Sequence, residues 1–180
     1  MKRDRLISLI THYFPTDGRE IVYKDMMLDF ARAYPDCFER SLKIGHFTAS
    51  AWLLNKDHSK ALLMHHAKLD KWFQLGGHAD GESDLLAVAV KEAQEESGIG
   101  GIEPLSDQIF DIDIHLIPAR KDEPAHYHYD VRFLLGVVSN EEVIQNGESK
   151  ELRWIEKDAS ELPTESQSVA RMFNKWLSLL

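Results

Sequence analysis

Three glutamates, Glu92, Glu95 and Glu96, stand at i, i+3 and i+4 within the segment LLAVAVKEAQEESGI. On a helix turning by about 100° per residue they share one arc. Like charges at this spacing cost an isolated helix about 0.2–0.5 kcal/mol per pair. They also sit near the helix C-terminus, the end whose dipole disfavours negative charge. Helix propensity gives no reason for them there, whereas a hard cation does. Mg2+ and Mn2+ prefer carboxylate oxygens and commonly keep waters and substrate phosphates as their remaining ligands. Taken alone, E-x-x-E-E also fits a plain solvated helix face. The flanking residues favour the chemistry: Gly76-Gly77 precede the helix and Gly98-Ile99 close it. Glycines let the backbone approach an ion or a phosphate closely.

Residues 76–99, GGHADGESDLLAVAVKEAQEESGI, resemble a Nudix box. That pattern is Gly, five residues, Glu, seven residues, then Arg-Glu-apolar-x-Glu-Glu-x-Gly-apolar. Counted from Gly77, the chain supplies Lys91 at the Arg position, followed by Glu92, Ala93, Glu95, Glu96, Gly98 and Ile99 at the expected intervals. Two positions depart. Ser83 stands where the first Glu belongs, and Lys91 replaces Arg. In the family these two residues mainly brace the loop and helix, so the departures bear on bracing more than on metal binding. Ser83 is expected to cap the helix instead, with Asp84 in the first turn.

The resemblance implies a metal-assisted pyrophosphohydrolase. Glu92, Glu95, Glu96 and the Gly76 carbonyl would hold Mg2+ or Mn2+, and water would attack phosphorus in a nucleoside diphosphate derivative. Glu92, Glu95 and Glu96 are accordingly the catalytic candidates. Some members of the family take the proton on a later loop, for which Glu148 and Glu151, in NGESKELRW, are the candidates. Gly147 beside Glu148 suggests a mobile loop and favours Glu148. Two rival functions are weaker. An isomerase of the isopentenyl diphosphate type is helped by an active-site cysteine, and the only cysteine, Cys37, precedes the fold. A non-catalytic ligand-binding or sensor protein has no need of three mutually repelling carboxylates.

A second constellation lies in HYHYDVRFLLGVV. Its period-two alternation puts Tyr127, Tyr129, Val131, Phe133, Leu135 and Val137 on one face, expected to be packed. His126, His128, Asp130 and Arg132 share the other. These four could hydrogen-bond a substrate, with Arg132 on phosphate. Two histidines and an aspartate could also bind a transition metal, although nothing in the sequence fixes a fourth ligand. The plainer reading is the wet side of an antiparallel strand. His78, after the Gly-Gly turn, and His115, on the preceding strand, could reach the same cleft. Arg120-Lys121, in a loop, could meet phosphates or serve as ordinary surface charge. Trp52, Trp72 and Trp154 sit in apolar runs and are expected in the core.

The elements that must position these residues follow from pattern and punctuation. Helical spacing covers residues 3–14 and 21–34, with a further short helix expected over 36–42. Strands are expected at 46–55, 60–67, 109–117, 126–138 and 151–155, and helices at 84–97 and 165–179. This order indicates an α/β fold. It resembles the Nudix α/β/α sandwich with a mixed sheet. Residues 1–42 would form an N-terminal helical extension and 43–180 the Nudix hydrolase domain.

Composition agrees with an ordinary globular chain of 180 residues, with 43% hydrophobic and 28% charged. A single cysteine excludes a disulfide framework and fits a cytoplasmic setting. The apolar run near the N-terminus is short and broken by His12 and Tyr13, unlike a signal peptide. No stretch reaches the roughly 18 apolar residues of a membrane span. A formal net charge of −9 argues against non-specific nucleic-acid binding. The expected partner is a small nucleotide-like molecule. A homodimer is compatible with the apolar surface of the N-terminal helices.

Overall fold

The computed structural model describes residues 2–120 and 123–179; Lys121 lies outside the described residues. The chain opens with helices α1 (Asp4–His12) and α2 (Gly18–Ala33). Asp17 caps α2 by accepting from the Glu20 N–H, and the helix stops two residues before Pro35, which disfavours helical geometry in the residue preceding it. Strands β1 (Gly45–Leu54), β2 (Lys60–His66), β3 (Lys71–Phe73) and β4 (Leu75–His78) follow. Then come α3 (Leu85–Ser97), β5 (Ile102–Pro104), β6 (Asp111–Ile117), β7 (His126–Val137), β8 (Ser149–Glu156) and α4 (Gln167–Leu177). Among the described residues no helix is long and apolar enough to cross a membrane.

The eight strands form one mixed sheet, built around the order β3-β2-β1-β7-β5. β4 joins β1, β6 joins β7 and β8 joins β2. β1 and β7 run parallel over ten paired positions, and the other pairings are antiparallel. Helices cover both sides. On one side Phe47, Ala49, Ala51, Val131 and Phe133 share a core with Ala89 and Ala93 of α3. Leu6, Ile10, Met27, Phe30 and Phe38 from the first 38 residues belong to this same cluster. On the other side Trp52, Leu54 and Leu63 pack against Val169, Met172, Phe173 and Trp176 of α4.

Several expectations are corrected. Residues 36–42 form turns with Cys37 and Phe38 buried, and no helix follows Pro35. Asp84, not Ser83, caps α3, its side chain accepting from the Ala87 N–H. β5 escaped pattern reading because three residues carry too little periodicity. The face of β7 bearing His126, Asp130 and Arg132 is buried, not wet; α4 lies over part of it, with Ser168 reaching Arg132 and Arg171 reaching Asp111 and Asp113 on the neighbouring strand. Tyr127, expected to pack, is exposed near the strand start. Trp52 is fully buried, whereas Trp72 and Trp154 are partly buried at the margins of the core.

A buried ion network ties the first helices to the sheet and to α4. Glu20 accepts from the Lys175 ammonium, the Tyr13 hydroxyl and Thr16. Lys175 also reaches Asp111 at 2.7 Å, and Arg171 meets Asp111 at 2.8 Å and Asp113 at 3.1 Å. Burial raises the Glu20 carboxyl, but these donors outweigh it and hold it down at about 2. Its stabilising contribution is therefore complete above the unfolded value near 4.5 and is lost as pH falls through about 2. Glu20→Gln is expected to cost about 3–5 kcal/mol at neutral pH by leaving Lys175 and Arg171 short of a buried partner. Urea unfolding of both proteins at stepped pH checks this. The parent should lose stability faster than the variant between pH 4.5 and 2, and parallel curves would contradict the assignment.

Candidate active site

The glycines at the end of β4 and the C-terminal half of α3 form a fitted pair. Glu96 is buried, and its Oε2 accepts from the Gly76 N–H at 2.8 Å. A Cβ on Gly77 would come within 2.3 Å of Glu92 Oε2, so only glycine lets that carboxylate lie against the main chain. A Cβ on Gly76 would meet the Ala49 carbonyl oxygen at 2.7 Å. α3 closes at Gly98, which is left-handed at φ 74°, the geometry expected of a glycine stop.

Glu92 is half-buried and Glu95 exposed, and Lys91 Nζ stands 3.1 Å from an oxygen of each. Lys91, at the position of the usual Arg, thus bridges the two more exposed acids. Burial pushes the Glu96 carboxyl up to about 8; the charges of Glu92, Glu148 and Glu95 add to the rise, and the Gly76 N–H opposes it. Such a cluster suits a divalent cation, which would replace mutual repulsion with shared coordination. The residues therefore fit the Mg2+ or Mn2+ expected from the sequence.

Glu148 lies on the exposed loop before β8, close enough for its charge to act on Glu96. That loop is fastened to the end of α3. Asn146 Nδ2 donates to the Glu95 carbonyl at 3.1 Å, and the Ile144 N–H donates to the Ser97 carbonyl at 2.7 Å. Glu151 instead sits on β8, paired with Arg153 at 2.7 Å.

The turn between β4 and α3 is held from outside the box. Asp80 and Gly81 both take left-handed backbone, at φ 49° and 85°. Arg40 clasps Asp80, with Nη2 2.6 Å from Oδ2, and the Gly81 N–H donates to the Phe38 carbonyl at 3.0 Å. Arg5 pairs with the capping Asp84. The bracing lost with Ser83 is thus matched by arginines of the N-terminal segment.

The polar face of β7 has its own logic. In register across β1, β7 and β6 stand His46, His128 and His115; then Thr48, Asp130 and Asp113; then Ser50, Arg132 and Asp111. Asp130 accepts from Thr48 at 2.9 Å and from Ser50 at 2.8 Å, while Arg132 contacts Asp130 at 2.7 Å, Asp111 at 3.0 Å and Asp113 at 3.5 Å. Arg132 and Asp130, both expected to meet substrate, are each only 2% exposed and consumed by this network. Arg120 is exposed in a loop, its main chain bridged to Glu123.

The histidines do converge. The His46 ring lies 5.2 Å from His78, 5.1 Å from His126 and 4.9 Å from His128, centroid to centroid. His115 stands 5.4 Å from His128. Burial, reinforced by the neighbouring imidazoles, lowers His46 to about 4 and His128 to about 2, and burial with Arg40 lowers His78. These rings are neutral near pH 7. His46 was missed in the sequence because it reads as an ordinary strand start. The polar alternation His46, Thr48, Ser50 within an apolar strand was the available signal. Asp111, Asp113 and Arg171 were missed because nothing local pairs them.

A model of the NUDIX domain matches residues 45–177. A NUDIX-family hydrolase structure from Clostridium perfringens aligns at TM-score 0.55 and 25% identity, covering 73% of this chain and 95% of that one. The Escherichia coli dihydroneopterin triphosphate pyrophosphohydrolase aligns at TM-score 0.56 and 13% identity, over 73% and 94%. A UDP-X diphosphatase aligns at TM-score 0.53 and 12% identity, over 97% of this chain and 91% of that one, so its likeness in fold extends into the N-terminal helices. Among curated proteins none matches.

Gly77→Ala is expected to displace the Glu92 carboxylate and weaken Mn2+ binding by at least about 10-fold, in line with loss of an orienting contact at a metal site. Titration calorimetry measures this, with circular dichroism confirming an unchanged fold. Unaltered affinity would show that Glu92 does not need its seat on the glycine.

Proposed function

Because this chain belongs to the Nudix family, we propose that it hydrolyses a pyrophosphate linkage in a nucleoside diphosphate derivative, with Mg2+ or Mn2+ held by Glu92, Glu95 and Glu96. The observation that carries this reading is Glu96, buried against the Gly76 N–H among other acids and thereby raised to about 8. Keeping such a group is costly unless a cation is to be bound. The intact cluster also weighs against a sensor.

The cation, when bound, neutralises phosphate oxygens and makes coordinated water a better nucleophile. Glu92 and, once a cation displaces its proton, Glu96 would supply ligand charge, each seated on one glycine of the Gly-Gly pair. Glu148, on a loop fastened to the same helix end, would accept the proton of the attacking water. The water oxygen would bond to phosphorus as the bridging oxygen departs, giving a nucleoside monophosphate and a second phosphorylated product. The structures similar to this one bear names that point to dihydroneopterin triphosphate and UDP-linked compounds. These define the first members of a substrate panel.

A panel of dihydroneopterin triphosphate, UDP-linked and other nucleotide sugars, ADP-ribose, dinucleoside polyphosphates and nucleoside triphosphates with Mg2+ or Mn2+, assayed for phosphorylated products, tests the proposal. Glu92→Gln and Glu96→Gln should each lower turnover at least about 100-fold, the scale of a lost catalytic group. Glu148→Gln should lower kcat by a similar factor, about 100-fold, while Glu151→Gln stays near the parent. Turnover that survives Glu96→Gln, or no turnover across the panel despite bound metal, would remove the hydrolase reading.

A further inference from the structure

We infer that His46, His78 and His128 form a second metal site, for a transition-metal ion of the Zn2+ class, distinct from the carboxylates of α3. Each ring offers one nitrogen, and the three nitrogens lie within 4.8 Å of one another. The three residues come from β1, β4 and β7, held in register by the sheet, with His46 beside His128 and His78 opposite Thr48.

His46 carries the argument furthest. It is 1% exposed, and among the described residues neither ring nitrogen has a hydrogen-bond partner. A buried imidazole normally has at least one of its nitrogens satisfied. Here the rings around it belong to His78, His126 and His128. Neutral imidazoles facing one another compete for protons, and a cation resolves that competition by taking their lone pairs.

The dimensions agree. Tetrahedral coordination with Zn–N bonds of about 2.0–2.1 Å sets ligand nitrogens about 3.3 Å apart. Drawing each of the three nitrogens inward by about 1 Å closes the present triangle to that size. His126 is poised beside it. Its Nδ1 lies 2.9 Å from the Pro124 carbonyl oxygen, which can only accept, so Nδ1 is the donor, and in the neutral ring Nε2 then carries the lone pair. That Nε2 is 3.2 Å from His128 Nε2. A backbone carbonyl that orients a ring in this way is the usual outer support of a metal-bound histidine.

Ligand chemistry separates the two sites. Imidazole favours Zn2+, Co2+, Ni2+ and Cu2+, whereas an all-carboxylate cluster favours Mg2+ and Mn2+. The site does not depend on the hydrolase reading and would stand if that reading failed.

Co2+ and Zn2+ titrations of the metal-depleted full chain in excess Mg2+ test the inference. One Co2+ should bind with the intense visible absorption of a tetrahedral nitrogen site, and Zn2+ but not Mg2+ should displace it. His46→Asn, His78→Asn and His128→Asn should each weaken binding at least about 100-fold, beyond the 10–100-fold typical of losing an outer support. Glu92→Gln should keep the band. No tetrahedral band, or a band that vanishes in Glu92→Gln and survives in the histidine variants, would overturn the site. Because His46→Asn could unfold a buried position, the imidazole nitrogen signals of the unaltered protein provide an independent readout. Added Zn2+ should shift those of His46, His78 and His128, and unmoved signals would overturn the site whatever the variants do. If the histidine variants alter nucleotide binding while neither metal binds, the cluster is a substrate contact and not a metal site.

Discussion

The charges buried between the sheet, α2 and α4 are the constraint on which the rest of this molecule depends. Arg132, Arg171 and Lys175 face Glu20, Asp111, Asp113 and Asp130 with little access to water. Such a set tolerates no missing member, because each removal strands a desolvated charge. It also admits little positional slack. A one-residue slip of β7 against β1 or β6 would send Asp130 and Arg132 into the apolar layer shared with α3. The network therefore sets the register, and the register sets where His46 and His128 meet. The same β1 backbone pairs with β4 and so holds Gly76 and Gly77 beneath the glutamates.

Much of this was readable from the chain, for definite reasons. The α3 helix, its glycine stop and the three glutamates follow from local spacing, which one segment carries by itself. The alternating pattern of β7 was equally local, and its extent is close to that expected. What the pattern could not say is what covers each face. Arg132 and Asp130 have the composition of a substrate-binding pair, but their partners Asp111, Asp113, Thr48 and Ser50 come from other strands. Parallel pairing between β1 and β7 joins residues about eighty positions apart, and no short-range signal announces it. The histidine cluster was half legible for the same reason: His78, His115, His126 and His128 each looked available, and His46, the member at their centre, did not.

The departures from the family pattern acquire a physical account. The box lacks the early Glu and the Arg that mainly brace it elsewhere, yet its turn is well supported. The support has moved to Arg5, Arg40 and the Phe38 carbonyl, all within the first forty residues. These residues belong to a segment whose apolar side chains join the main core. The N-terminal segment thus takes a direct part in holding the turn that leads into α3.

The two kinds of support differ in how they respond to solution conditions. Arg5–Asp84 and Arg40–Asp80 are largely exposed pairs, with side chains between about one third and three fifths accessible. Charges of that kind fade as added salt shortens the Debye length to about 3 Å at 1 M. The contact of Glu96 with the Gly76 N–H is buried and so shielded from such screening. Ionic strength consequently acts on this molecule selectively, loosening the rim of the site while leaving its floor rigid.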